Sequence, residues 1–172
     1  MPLTCCDVAD RDQVFEQKTL VKAPIEKVFE FFSEAKNLEM ITPPWLNFKI
    51  IDQSTPNIQA GTILTYKLKI HGIPIRWKTL IESWTPNLHF VDTQIKGPYK
   101  KWHHTHRFTS TPEGTIVEDT VLFRVHFGLF GQLLTGNWVR KDVKKIFLFR
   151  EKMIESIFSP KNKPQQGPGI KA

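Results

Sequence analysis

Apolar and polar residues alternate with a period of two through most of the middle of the chain, and proline or glycine interrupts the pattern at hairpin spacing. The breaks fall at 56–61, 72–74, 86–87, 97–98, 112–114 and Gly128. Between them lie runs rich in β-branched and aromatic residues: Phe48–Gln53, Thr62–His71, Ile75–Thr85, His89–Lys96, Lys101–Thr111 and Thr115–Phe127. These predict six strands, and Gln13–Val21 a seventh ahead of them.

Helical spacing shows in three places. Ile25, Val28, Phe29 and Phe32 predict a short helix over Pro24–Ser33, with the fixed φ of Pro24 suited to its first turn. A second short helix, Glu34–Ile41, must stop before Pro43 and Pro44. Val139, Val143, Ile146, Phe147, Met153, Ile154, Ile157 and Phe158 recur at three and four residues, which predicts one long amphipathic helix that begins within 131–138 and ends near Phe158. The order strand, two short helices, six strands, long helix predicts an α+β fold: a curved antiparallel sheet of about seven strands around the C-terminal helix. A curved sheet of this size need not close on its helix, so a cavity between them is expected.

Length and composition narrow the class. The 172 residues suit one domain, taken as 13–158, with flexible ends at 1–12 and 159–172; the latter segment holds three prolines and one aliphatic residue. Hydrophobic residues at 40% and charged residues at 24% are globular values and exclude a disordered or collagenous chain. No apolar run exceeds Ile146–Phe149, far short of the roughly 20 residues of a spanning helix. Met1–Asp12 lacks a basic segment followed by an apolar one, and the two cysteines, Cys5 and Cys6, are adjacent and cannot staple distant segments, so a reducing cytoplasmic setting is expected.

Net charge is +7, of which +6 falls in residues 131–172. Arg140, Lys141, Lys144, Lys145, Arg150 and Lys152 interleave with the apolar stripe of the long helix and are read as its solvated outer face. Nucleic acid is not an expected partner, because no binding fold or stacking aromatics accompany these cations. Weak, salt-sensitive contact with an anionic membrane surface fits them better. No partner protein is inferred.

Candidate chemistry concentrates on Lys101–Thr111. Alternation puts Trp102, His104, His106 and Phe108 on one face and His103, Thr105 and Arg107 on the other. His-x-His on a strand can present two imidazoles to one point as zinc sites do, but the sequence supplies no evident third ligand, so no metal and no cofactor is expected. Asp92 and Gln94 share a face of the preceding strand, and alternation alone does not decide whether it points inward. If it does, either could orient His104 or His106; otherwise they make ordinary outer cross-strand pairs. Asp119 rides on the apolar face of Val121, Phe123, Val125 and Phe127 as a rim carboxylate or as the solvated start of its strand, and Tyr66 shares a face with Leu64, Leu68 and Ile70. P-loop, GxGxxG, HExxH, GxSxG and CxxC motifs are absent, which argues against a nucleotide enzyme.

Segment order and four strings carry a resemblance: Ile41-Thr-Pro-Pro-Trp-Leu46, His71-Gly-Ile-Pro-Ile-Arg-Trp77, Asp92-Thr-Gln94 and Gly97-Pro-Tyr-Lys-Lys-Trp-His-His-Thr-His106. Over residues 13–158 the chain resembles the SRPBCC (START/Bet v 1-like) superfamily, and more narrowly its bacterial cyclase/dehydrase-like subfamily, some members of which carry a "cell division inhibitor" label. The resemblance implies a helix-grip fold and a hydrophobic cavity for lipids, polyketides, quinones or hormones, with catalysis in some branches. Two family features are missing. The glycine-rich loop of plant relatives is reduced to Ser54–Gly61 with one glycine, so phosphate binding there is not expected. The His-x4-His iron pattern of the oxygenase branch is absent, so non-haem iron chemistry is not implied. The expected activity is binding of a small hydrophobic molecule by Tyr66, Asp92, Gln94, Trp102, His104, His106, Asp119 and Phe123. The alternative is a cyclase or dehydratase with His104 or His106 as general acid/base, oriented by Asp92 or Asp119.

Overall fold

The computed structural model describes residues 7–8, 12–126 and 128–159, with side chains for 12–126 and 138–159. Its elements are β1 (Asp7–Val8), β2 (Asp12–Val21), α1 (Ile25–Ser33), α2 (Ala35–Met40), a 3-10 turn at Pro44–Leu46, β3 (Lys49–Gln53), β4 (Ile63–Ile70), β5 (Ile73–Thr85), β6 (His89–Lys96), β7 (Lys101–Thr111), β8 (Gly114–Arg124) and α3 (Gly128–Phe158). This is the α+β architecture that alternation and breakers predict, and the helix-grip fold that the resemblance implies: seven full strands, two short helices after the first of them, and a long C-terminal helix.

Three boundaries differ from expectation. The sheet begins before Gln13, because Asp7 and Val8 pair with Gln13 and Asp12 inside the segment expected to be flexible. Asp12 is held by Lys101 Nζ and Arg124 Nε, each 2.6 Å from one of its carboxylate oxygens. At the other end β8 stops at Arg124 and α3 starts at Gly128, ahead of the 131–138 window. The remaining residues of 1–12 and all of the expected tail after Ser159 lie outside the described residues.

All strands pair antiparallel in one sheet, ordered β1-β2-β8-β7-β6-β5-β4-β3. Hairpins build most of it. The β4–β5 connection is a two-residue turn in which His71 (φ 50°) and Gly72 (φ 82°) both take positive φ, the backbone that matches the twist of a tight hairpin. Register shifts in β5, at Lys78/Thr79 and Ile81/Ser83, and in β3, at Ile50/Asp52, add the local bends that curve a sheet.

The cavity follows from how unevenly α3 covers that curve. Its stripe of Val143 and Phe147 packs with Phe15, Val121 and Phe123 of β2 and β8, while Ile154 joins Val28 and Phe29 of α1 and Phe108 of β7. The opposite half of the sheet, β4 and β5, carries a separate cluster of Leu64, Tyr66, Leu68, Trp77 and Ile81, met by Leu46 of the 3-10 turn and by Ile146. Two apolar surfaces therefore face each other across the concave sheet without collapsing together. Among the described residues, no helix is long and apolar enough to cross a membrane.

Candidate functional site

Strand register assembles the site. Asp92 of β6 is paired with His104 of β7, and His106 of β7 with Asp119 of β8. Because side chains alternate, these four share the concave face. The alternation that puts His104 with His106 holds, and the inward face of β6 is the one that carries Phe90 and Asp92.

The result is a square of two imidazoles between two carboxylates. His104 Nε2 donates to Asp119 Oδ1 at 2.9 Å, and His106 Nε2 to Asp92 Oδ2 at 3.1 Å. The other two sides are His104 Nδ1 to Asp92 Oδ2, 3.4 Å, and His106 Nδ1 to Asp119 Oδ1, 2.8 Å; the latter is close but poorly directed for a hydrogen bond. The ring centroids are 3.7 Å apart, and His104, His106 and Asp119 are at most 5% exposed. Phe90 stacks on His106 at 4.1 Å.

Burial would raise both carboxylates, but the facing imidazoles more than compensate and hold Asp92 and Asp119 below the ordinary carboxylate range. The two histidines are driven apart. Burial and the neighbouring His106 charge push His104 down to about 4, against the pull of Asp119 and Asp92. Burial opposes the charged form of His106 as well, but Asp119 and Asp92 outweigh it and raise His106. A second positive charge 3.7 Å from the first is repelled, so one ring carries the proton that both carboxylates attract.

This cluster forms part of the wall of a cavity of about 890 Å3 enclosed by α1, α2, the 3-10 turn, α3 and the sheet. Most of its lining is apolar, including Leu64, Trp77, Ile81 and Ile146, and its polar residues include Tyr66, Asp92, His104, His106 and Arg150. Burial pushes the Tyr66 phenol up, so it is present as a neutral hydroxyl.

Of the residues singled out from sequence, Tyr66, Asp92, Trp102, His104 and His106 line the cavity. Gln94, Asp119 and Phe123 do not. Gln94 closes the β6–β7 connection: its Nε2 donates to the Tyr99 carbonyl at 2.7 Å, and its carboxamide lies so near Gly97 that a Cβ there would sit 2.3 Å from Oε1. Phe123, fully buried, packs beneath Trp102 and Tyr99 with ring centroids 6.2 and 6.1 Å away. Asp119 stands behind the histidine rings.

Two features escape the sequence reading. Arg150, placed there on the outer face of the long helix, lines the cavity, with its guanidinium 4.8 Å over the Phe147 ring and a buried Nε that has no hydrogen-bond partner among the described residues. The signal was available: Arg150 is seven residues after Val143 and four before Ile154, on the apolar stripe. Arg140 is likewise not on a free outer face, since its Nε donates to the buried Gln13 Oε1 at 3.1 Å. The second feature is the mouth, where His71 at the β4–β5 tip meets Asp142 of α3 at 2.6 Å beside Trp138, which is 67% exposed. Both histidine and aspartate are ordinary surface residues in sequence, and only the approach of hairpin to helix joins them.

Comparison with known proteins gives a consistent picture. A family model described as "Polyketide cyclase / dehydrase and lipid transport" matches residues 21–146. No curated protein matches the chain. Among solved structures, a START superfamily protein from Mycobacterium smegmatis superposes with a TM-score of 0.65 at 14% identity, over 84% of this chain and 96% of its own. Ginseng major latex-like protein 151 from Panax ginseng gives 0.66 at 13% identity, over 88% and 100%. The di-domain ARO/CYC StfQ from the steffimycin biosynthetic pathway gives 0.67 at 14% identity, over 86% of this chain and 51% of that one. At such identities the likeness is one of fold.

Proposed function

The chain belongs to the polyketide cyclase/dehydrase and lipid transport family, and from that premise we propose that it binds one small hydrophobic molecule, lipid-, quinone- or polyketide-like, that carries an oxygen-bearing end. The observation that supports this reading is the cavity of about 890 Å3, apolar on most of its surface, into whose wall Asp92, His104 and His106 are set. The apolar body of the ligand would lie against Leu64, Trp77, Ile81 and Trp102. Its oxygen would face Tyr66, Asp92, His104, His106 and Arg150, whose Nε, without a partner among the described residues, supplies a donor. Asp119, Gln94 and Phe123 act indirectly, by holding the histidines, the Tyr99 turn and the Trp102 ring.

The test uses a neutral naphthylamine fluorophore and native mass spectrometry of the freshly purified protein. Fluorescence enhancement, or a co-purifying apolar mass, is expected in the wild type and should fall at least about tenfold in Leu64→Trp, whose larger ring occupies the cavity. Absence of both signals from a folded wild type overturns the reading.

One observation favours a catalytic variant of the same site: each cavity imidazole has a carboxylate partner within 3.1 Å, the arrangement that orients a general acid or base. In a cyclase- or dehydratase-like reaction one histidine would take a proton α to a carbonyl, and the other would protonate the departing hydroxyl, which leaves as water. Loss of one water from a β-hydroxyketone, seen by mass spectrometry and abolished in His104→Gln, supports this variant; turnover equal in the two proteins removes it.

A further inference from the structure

We infer that Asp92, His104 and His106 form a site for one divalent transition-metal ion, with Zn2+ the ion that the donor set suits, open on its fourth side to the cavity. Asp92 Oδ2 lies 3.4 Å from His104 Nδ1 and 3.1 Å from His106 Nε2, and each of the three residues offers one ligand atom within 4.8 Å of the other two. Metal bonds of about 2.0–2.1 Å at the tetrahedral angle hold neighbouring donors about 3.3–3.4 Å apart. The carboxylate-to-nitrogen separations already match such a coordination sphere to within a few tenths of an ångström.

The far side of the rings fits the same role. An imidazole coordinates through one nitrogen while the other keeps its proton, and a carboxylate behind the ring selects that tautomer and fixes the ring plane. Here a single carboxylate faces both rings: Asp119 Oδ1 is 2.9 Å from His104 Nε2 and 2.8 Å from His106 Nδ1. Asp119 does not line the cavity, whereas the three proposed ligands do. The fourth position therefore opens toward the space in which water or a ligand oxygen can sit, as in metal sites with three protein ligands.

Charge supports this assignment as well. Two neutral imidazoles and a dication cancel the two carboxylates of a cluster in which three of four members are at most 5% exposed. A purely hydrogen-bonded cluster accounts for His104–Asp119 and His106–Asp92. It leaves His104 Nδ1, the nitrogen that the ion would take, facing Asp92 Oδ2 across 3.4 Å. Two nitrogen donors and one oxygen favour Zn2+ over Mg2+ or Ca2+, which select oxygen. The expectation from sequence that no metal binds rested on the lack of a third ligand, and β6 supplies it. Ion binding is measured with no organic molecule present, so this inference and the cavity reading can fail separately.

The experiment titrates ZnCl2 calorimetrically into the untagged full chain after chelator treatment, with Cys5→Ser and Cys6→Ser in every arm to exclude adventitious thiolate binding. One Zn2+ per chain with submicromolar affinity is expected, with no measurable heat from Mg2+. Asp92→Asn and His104→Gln should each weaken binding at least about tenfold and Asp119→Asn about 10–100-fold. His103→Gln, on the outer face opposite Glu82, should change nothing. Co2+ should give the visible bands of a four-coordinate ion in the wild type, absent from Asp92→Asn. If His104→Gln fails to fold, Asp92→Asn decides, because Asp92 is the least buried member and the variant keeps its shape. No stoichiometric Zn2+, equal affinity in Asp92→Asn, or a loss that follows His103→Gln overturns the inference.

Discussion

Asp119 accepts a hydrogen bond from His104 at 2.9 Å in a setting where neither side chain is more than 5% exposed. Removing one member of a buried, paired group leaves the other uncompensated, which typically costs about 3–5 kcal/mol. Asp119→Ala should therefore lower unfolding stability by that order in metal-free buffer, and Asp119→Leu combined with His104→Leu should recover much of it. Urea unfolding of the three proteins checks this, and a double variant no better than the single one means that the pair is not coupled.

Phe108 and Trp138 are both large aromatics, but they predict opposite outcomes. Phe108 is 1% exposed and sits within 5.3 Å of the Phe29 and Phe32 rings, so Phe108→Ala should cost about 3–5 kcal/mol through lost burial and an unfilled cavity. Trp138 is 67% exposed, and Trp138→Ala should stay within about 0.5 kcal/mol. Chemical denaturation curves of the two variants, compared at equal slope, test the contrast.

Asp12 ties the start of β2 to β7 and β8. Burial alone would raise its pKa, but hydrogen bonds from Lys101 and Arg124 lower it below the ordinary value. A carboxyl whose folded-state pKa is depressed adds stability above its unfolded pKa of about 3.9, and loses it as pH falls through the folded value. The melting-temperature gap between wild type and Asp12→Asn should thus be constant from neutral pH down to about pH 5 and shrink below about pH 4. A gap independent of pH would place the effect of the substitution outside ionisation.

The His71–Asp142 contact spans the mouth of the cavity at 2.6 Å, and both residues are partly exposed. His71→Ala should leave stability nearly unchanged, as expected for a surface pair. It should speed association and release of the naphthylamine probe together, because the hairpin tip is no longer tied to α3. Stopped-flow fluorescence reads both rates, and unchanged rates would show that the probe enters elsewhere.

Much of the architecture is local and was legible in the chain. Hairpin positions follow from proline and glycine, the inner face of β7 follows from the alternation of Trp102, His104, His106 and Phe108, and the apolar stripe of α3 follows from residues three and four apart. The helix of 31 residues also shows its start, Gly128, to be earlier than the stripe suggests, because apolar spacing marks the packed part of a helix and not its cap.

What alternation leaves open is register, and register made the site. Parity along β6 says that Asp92 and Gln94 share a face, but not which face is concave or which residue of β7 lies opposite; those depend on pairing between distant segments. The tertiary structure aligned Asp92 with His104 and Asp119 with His106, so that carboxylates from two different strands converge on one pair of rings. It also diverted Gln94 into the turn at Tyr99 and drew Arg150 into the cavity. Local periodicity determined which side chains share a face of each element; only the packing of sheet against helix decided which of those faces enclose the same space, because that energy is shared between residues far apart in sequence.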